Sequence, residues 1–274
     1  MTTSANAVPV LMYHHVTPHP GLVTVSPRAF QVQMTSLARR GYTTLSADRF
    51  FDFLHHGRDV PAKSVLITFD DGYLDNYVHA YPVLRELGLR ATLFAVTGWI
   101  GNGPARPFGE RDGAPHCPNH RACKAAIADG RADEAMLRWT EIETMEASGA
   151  VEIHCHTHTH TRWDKTLADP IARRTALARD LTRSKEALRQ RLGREERHLC
   201  WPQGYFDDDY VAVAQQLGFE ALYTTRKHVN TRRTPPTDIG RIVTKERNGD
   251  WLLRRLSLYS SPLLGRLYTA LRGE

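Results

Sequence analysis

No run of 18 apolar residues occurs in the chain, so the sequence predicts no membrane span. Nor does it open on a basic segment followed by an apolar stretch and a cleavage site: residues 1–7 are mostly polar, and a strand is expected from Val8. Cysteine is sparse, at Cys117, Cys123, Cys155 and Cys200 only. Without an export leader these read as thiols of a reducing compartment and not as a disulfide framework, which points to a cytoplasmic location. Neither sign of charge dominates: 36 Lys plus Arg stand against 30 Asp plus Glu, a net charge of +6. The basic residues form no stripe interleaved with aromatics, so no nucleic-acid partner is expected, although an anionic partner is permitted. What remains is ordinary globular composition, 41% hydrophobic and 24% charged over 274 residues, enough for the core of one α/β barrel-sized unit.

Apolar runs and helical spacings alternate along the chain. Strands are expected at 8–13, 42–45, 65–69, 91–96, 151–153, 198–201, 221–225 and 239–243. Between them, Ser26-Pro27 reads as N-cap and first residue of a helix carrying Phe30, Met34 and Leu37, and Ser46 caps a second helix through Leu54. Further helices are expected at 75–87, from Thr140 with Glu143 completing a capping box, from Asp169-Pro170 to Leu192 with its charges on a solvated face, and at 208–217. Such alternation is the signature of parallel α/β architecture. The stretch 98–130 breaks the rhythm. Rich in Gly, Pro, Asn and Arg, it reads as a long loop holding His116, Cys117, His120 and Cys123, which are open to two readings, a zinc site or a solvated loop with incidental thiols.

Two stretches carry chemistry. The apolar strand at 65–69 runs straight into Asp70-Asp71-Gly72. Adjacent carboxylates repel, and a metal ion or a shared proton makes such a pair tolerable, although Asp-Asp-Gly is also turn chemistry. The strand at 151–153 runs into His154, His156, His158 and His160, four histidines in seven residues, internal to the chain and followed by Trp163. Neutral imidazoles with one carboxylate suit Zn²⁺ or a similar divalent ion with an open coordination position. His14-His15, at the end of the first strand, is a weaker signal of the same kind.

Taken together, Thr68-Phe69-Asp70-Asp71-Gly72, the segment from Glu152 to His160 and Trp201-Pro202-Gln203-Gly204 resemble, in order and spacing, the three motifs of the polysaccharide deacetylase (NodB-homology, carbohydrate esterase 4) family. The opening Val8-Pro9-Val10-Leu11-Met12-Tyr13-His14-His15 resembles the branch containing the poly-N-acetylglucosamine deacetylases. The resemblance implies a distorted (β/α)7-type barrel with a long insertion around 98–138 and a site at the C-terminal ends of the strands. It implies removal of an N-acetyl group from an N-acetylhexosamine in cell-envelope glycan metabolism. Asp71, His156 and His160 would hold one divalent metal ion, Zn²⁺ before Co²⁺ or Ni²⁺; Asp70 would be the general base; the Gln203 N–H would help hold the oxyanion; Tyr73, Trp201 and Tyr205 would meet the sugar.

Two departures from the family pattern matter. Cys200 stands where an arginine often begins the third motif, so Arg241 on the last strand is expected to supply the guanidinium that orients Asp70. The family's late Leu-x-His is not visible, and His14 is the expected proton donor, with His15, His158 and His228 as alternatives. A related hydrolase of another C–N bond, such as a cyclic ureide or a formamide, and a non-catalytic carbohydrate binder are the competing functions. The catalytic domain is expected over 1–250, and 251–274 as a basic, leucine-rich tail interrupted by Pro262 that packs on the barrel or meets an anionic membrane surface. That tail, and the missing leader, suggest a lipid-linked or nucleotide-linked amino sugar as substrate. The oligomeric state is left open.

Overall fold

A computed structural model of the chain describes residues 4–109 and 113–272. Three residues of the expected insertion and the last two of the expected tail lie outside that range. In chain order the strands are β1 (Val10–Tyr13), β2 (His15–Val16), β3 (Thr24–Val25), β4 (Thr43–Thr44), β5 (Ser64–Asp71), β6 (Ala91–Ala95), β7 (Val151–Cys155), β8 (His198–Cys200), β9 (Ala221–Tyr223) and β10 (Ile242–Val243). The helices are α1 (Pro27–Arg39), α2 (Ala47–His55), α3 (Tyr81–Glu86), α4 (His120–Ala128), α5 (Trp139–Ala147), α6 (Trp163–Thr166), α7 (Pro170–Leu192), α8 (Asp208–Gln216), α9 (Gly249–Tyr259) and α10 (Pro262–Arg272).

The main sheet is all parallel, in the order β10-β1-β5-β6-β7-β8-β9, with β4 on the first residues of β5 and β2–β3 forming a small ribbon apart. Ile239 bridges Tyr223 of β9, and three residues later Ile242 pairs with Leu11 of β1. The same short stretch therefore touches both edges of the sheet and brings seven strands round into the distorted barrel. All eight residues of β5 are buried, as a central parallel strand requires. Its odd residues Val65, Ile67 and Phe69 join the helix-facing core, whereas Leu66 joins Val8, Val10, Phe94, Cys200 and Tyr223 in the other, interior cluster. Strand pleating thus sorts β5 into an outer and an inner face.

Local sequence explains most element ends. Ser26 accepts from the Ala29 N–H ahead of Pro27, Ser46 from Arg49, and Asp169 from Ala172 ahead of Pro170. Three expectations are corrected. The helix expected over 75–87 is a π-type turn at Asn76–Ala80 followed by α3. Pro82 has no N–H for the Val78 carbonyl, and the Gly109 N–H takes that carbonyl instead, at 2.9 Å. α5 begins one residue before Thr140: Glu141, not Glu143, is its third residue and accepts from the Arg138 N–H at 2.8 Å, while the Thr140 hydroxyl donates to the Gly103 carbonyl. The stretch 98–130 is not all loop, since Asn119 caps α4 within it by accepting from Ala122. In the tail, α9 buries Leu252, Leu256 and Tyr259, whereas Leu263, Leu264 and Leu267 of α10 stand in solvent.

Candidate active site

β5 carries its two carboxylates to different neighbours. Asp70, like Leu66 an even-numbered residue, faces the interior, where Arg241 grips it with both ends of its guanidinium, Nη1–Oδ1 at 2.6 Å and Nη2–Oδ2 at 2.8 Å. Arg241 is fully buried, and two further donors go to the Thr68 hydroxyl and the Thr224 carbonyl. Burial pushes the Asp70 carboxyl up, but Arg241 and then His14 outweigh it and hold the group below the ordinary carboxylate value. Cys200 lies 3.7 Å from Asp70 Oδ1; burial pushes its thiol up, so it stays protonated. The guanidinium thus reaches Asp70 from β10's side of the barrel.

Asp71 is the last residue of β5 and has a φ of 73°, which turns its side chain away from the regular pleat. Its Oδ1 lies 3.3 Å from His156 Nε2 and 3.4 Å from His160 Nε2, and this buried oxygen has no hydrogen-bond donor among the described residues. His156 donates from Nδ1 to the Cys200 carbonyl at 2.8 Å, which fixes the ring with Nε2 turned toward Asp71. Burial pushes His160 down to about 4 against the pull of Asp71, so it is a neutral imidazole. One orphaned carboxylate oxygen and two imidazole nitrogens converging on a point fit a divalent cation. A second set, Asp70, His156 and Cys200, also converges, but both oxygens of Asp70 are already engaged by Arg241.

The histidine loop is held from below. Asp180 of α7 accepts from the N–H groups of His158 and Thr159 at 3.0 and 2.9 Å, and its other oxygen accepts from the Thr159 hydroxyl and Trp163 Nε1. The α7 charges are therefore not all solvated; Asp180 is buried, and reading α7 from its spacing alone missed it. Among the described residues, the non-glycine residues of positive φ are Val23, Asp71, Thr157, His160 and Gln203. Four of them, all but Thr157, line the same cavity of about 350 Å³, and Thr157 sits between the two imidazoles in sequence. Backbone strain of about 1–3 kcal/mol per residue gathers where side chains must be aimed.

That cavity brings together most of the residues singled out from sequence. Asp70, Asp71, Tyr73, His14, His156, His160, Trp201 and Gln203 all line it. His14 Nε2 is 3.6 Å from Asp70 Oδ2, and burial pushes its imidazole down despite both carboxylates. Tyr205 is not brought there: its hydroxyl donates to Asp207, and its ring lies under Arg162. His158 bonds Thr97, and His228 lies 3.5 Å from Asp238, so neither reaches the carboxylates. Among the described residues His116, Cys117, His120 and Cys123 form no metal cluster. The Cys117 and Cys123 thiols face backbone carbonyls, and His120 joins the cavity wall instead. The four cysteines are free.

Residues 57–222, more than half of the chain, match the polysaccharide deacetylase family. The chain belongs to that family. This deacetylase-family chain is 41% identical over 95 residues to YxkH of Bacillus subtilis, assigned to the polysaccharide deacetylases, a match spanning 35% of the chain and about a third (34%) of that protein. It is 23% identical over 234 residues to the poly-β-1,6-N-acetyl-D-glucosamine N-deacetylase of Staphylococcus aureus, covering 85% of this chain and 71% of the other. Among solved structures, the Streptococcus pyogenes deacetylase PplD superposes with a TM-score of 0.73 at 22% identity, covering 92% of this chain and 99% of that one. IcaB from Ammonifex degensii gives 0.72 at 24%, covering 94% and 99%. These likenesses carry the fold: the curled parallel barrel is the one this family uses.

Proposed function

We propose that the protein is a metal-dependent hydrolase that removes the acetyl group from an N-acetylhexosamine of a cell-envelope glycan. The observation that carries this reading is the split pair: Asp70 held as an anion by Arg241, beside Asp71 with its orphaned oxygen facing His156 and His160. Asp71, His156 and His160 would hold one divalent ion, and Zn²⁺ suits two imidazoles and a carboxylate best. A divalent ion bound there supplies Lewis-acid polarisation of the acetamide carbonyl and acidifies a water. Asp70 accepts the proton from that attacking water. The Gln203 N–H, on a left-handed turn at the cavity wall, would donate to the oxygen that becomes negative. The proton taken up by Asp70 passes to His14, whose Nε2 lies 3.6 Å from Asp70 Oδ2, and His14 hands it to the nitrogen as the C–N bond breaks, leaving acetate and a free amine. Trp201 and Tyr73 supply flat walls for the sugar. The name of the Staphylococcus aureus relative supports an N-acetylglucosamine polymer as one substrate form. A carbohydrate binder needs no anionic base held beside a cation site, which weighs against the non-catalytic reading.

The tail reads as an appendage of the catalytic domain at 1–250. α10 places Gly265 against Val229, next to Asn230, whose carbonyl accepts from Val8 at the foot of β1. A membrane contact through its exposed leucines would therefore sit at the barrel end away from the cavity, and the tail does not by itself favour a lipid-linked substrate. The deciding assay is acetate release from N-acetylglucosamine oligomers with and without chelator. Asp70→Asn should lower turnover by about 10²–10⁴ while metal stays bound; Asp71→Asn should lose metal as well. Near-normal turnover in Asp70→Asn overturns the mechanism.

A further inference from the structure

Beside Trp99, the insertion between β6 and α5 contributes two polar side chains to the cavity wall, His120 and Lys124, one turn apart on α4. They differ in how they are held. Asp75, buried, accepts from the Val16 N–H at 3.0 Å and the Asn76 amide at 2.8 Å, and faces His15 Nδ1 at 2.6 Å. That fixes the proton of the fully buried His15 on Nδ1, so His15 Nε2 accepts from His120 Nδ1 at 3.1 Å. His15 is also stacked on the Tyr73 ring, 3.7 Å between centroids. His120 is thereby locked in one orientation with Nε2 left as an unprotonated acceptor, and burial pushes its imidazole down, which keeps it neutral.

Lys124 is exposed and has no carboxylate partner among the described residues, whereas Arg106, Arg131 and Arg138 of the same insertion pair with Glu141, Glu134 and Asp133. The acids deeper in the cavity have their own counter-charges, Asp70 in Arg241 and Asp71 in the divalent ion it would hold with His156 and His160. Lys124 is thus surplus positive charge at the wall, while Met12, Leu22, Val23, Trp99 and Trp201 offer apolar surface for a pyranose ring. We propose that the insertion builds a subsite for an amino sugar that carries an anionic substituent, a phosphate or a carboxylate: the Lys124 ammonium takes the anion, and His120 Nε2 accepts a hydroxyl of the same sugar. This rests on the deacetylase reading and narrows its substrate class.

The test uses the metal-loaded full chain and three N-acetylglucosamine oligomers, one neutral, one bearing a lactyl carboxylate and one bearing a phosphate ester. The wild type should prefer an anionic substrate over the neutral one in kcat/KM by about tenfold, the scale of one charge-assisted hydrogen bond. Lys124→Met should collapse that ratio through KM, and Lys124→Arg should retain most of it. His120→Phe should raise KM for all three. Preference for the phosphate or for the lactyl arm tells the two sources of charge apart. Equal turnover of all three oligomers, or a ratio unmoved by Lys124→Met, overturns the subsite. If none of the three releases acetate, the deacetylase reading fails, and the subsite is then judged by calorimetric binding of the phosphate-bearing oligomer. Tenfold weaker binding by Lys124→Met supports it, and equal binding by both proteins overturns it.

Discussion

Replacing Arg241 by Met tests whether the guanidinium is the counter-charge that makes Asp70 tolerable. The two groups share two short hydrogen bonds at 2.6 and 2.8 Å, and both are buried. Removing the cation leaves a buried carboxylate with His14 at 3.6 Å and the weakly donating Cys200 thiol at 3.7 Å. Breaking a buried pair from one side costs about 3–5 kcal/mol. For a chain of this length that lowers the melting temperature by about 6–20 °C, at about 2–4 °C per kcal/mol. Asp70→Asn alone should do less harm, because Arg241 keeps the Thr68 hydroxyl and the Thr224 carbonyl and gains the asparagine carbonyl. The double variant should recover a large part of the Arg241→Met loss, since no uncompensated charge remains. A urea-unfolding cycle of the four proteins should therefore give a coupling energy of at least about 2 kcal/mol. Arg241→Lys should fall between, keeping the charge but losing the fork. If Arg241→Met loses less than about 1 kcal/mol, or the cycle is additive within about 0.5 kcal/mol, Arg241 is not the partner that holds Asp70 charged, and the account of the base fails with it.

Asp180→Ala removes the acceptor of two loop N–H groups; metal affinity measured by competition with a chelating dye should fall about 10–100-fold, although Asp180 touches no ligand nitrogen. Gly204→Ala puts a Cβ into Thr225 at a φ of 69°, so turnover should drop with metal affinity kept, as the Gln203 turn is displaced. His154 lies between Glu196 and Glu152, which outweigh its burial and raise it to about 10, while Glu152 is held down to about 2 despite burial. The imidazolium's contribution is whole below 6.5 and is lost as pH rises from there through about 10, and that of Glu152 is whole above 4.5 and lost as pH falls toward 2. The stability gap between wild type and His154→Gln in urea should accordingly narrow above pH 6.5; a gap constant from pH 5 to 10 refutes the assignment. Leu264→Asp with Leu267→Asp should release the protein from anionic liposomes at low salt, and no sedimentation of the wild type with such liposomes rules out a membrane role for α10.

Residues whose role depends on a strand end were readable from sequence. An apolar run into Asp70-Asp71, another into His156 and His160, and a late strand carrying Arg241 each state their position by neighbours along the chain, and parallel strands deliver their C-terminal ends to one rim. What stayed hidden depends on distant pairing. Nothing within α7 distinguishes Asp180 from its solvated neighbours, because its partners are backbone N–H groups about 20 residues away. His15, Asp75 and His120 are separated by 60 and 105 residues from one another's company, and only the fold shows them as one chain of hydrogen bonds. The π-type turn before Pro82 was legible in principle, since a proline orphans the carbonyl four residues back; the helical spacing around it masked the break.

The strand itself resolves the problem of adjacent carboxylates. On a regular pleat, neighbours point to opposite faces, so Asp70 and Asp71 would be kept apart but Asp71 would be driven into the helix-facing core, where no cation awaits it. The left-handed turn at Asp71 changes only that second direction: it leaves Asp70 inside on Arg241 and brings Asp71 over the rim to the imidazoles of β7's loop. Gly72, at a φ of 89° and packed against Ala95 and Ile100, extends the same reversal, and a Cβ there would press on Ile100. The Asp-Asp-Gly sequence is therefore a turn and a site at once. The turn is what gives each carboxylate its own counter-charge, and a substitution that restores regular strand geometry at 71 should remove metal binding while leaving the Asp70–Arg241 pair intact.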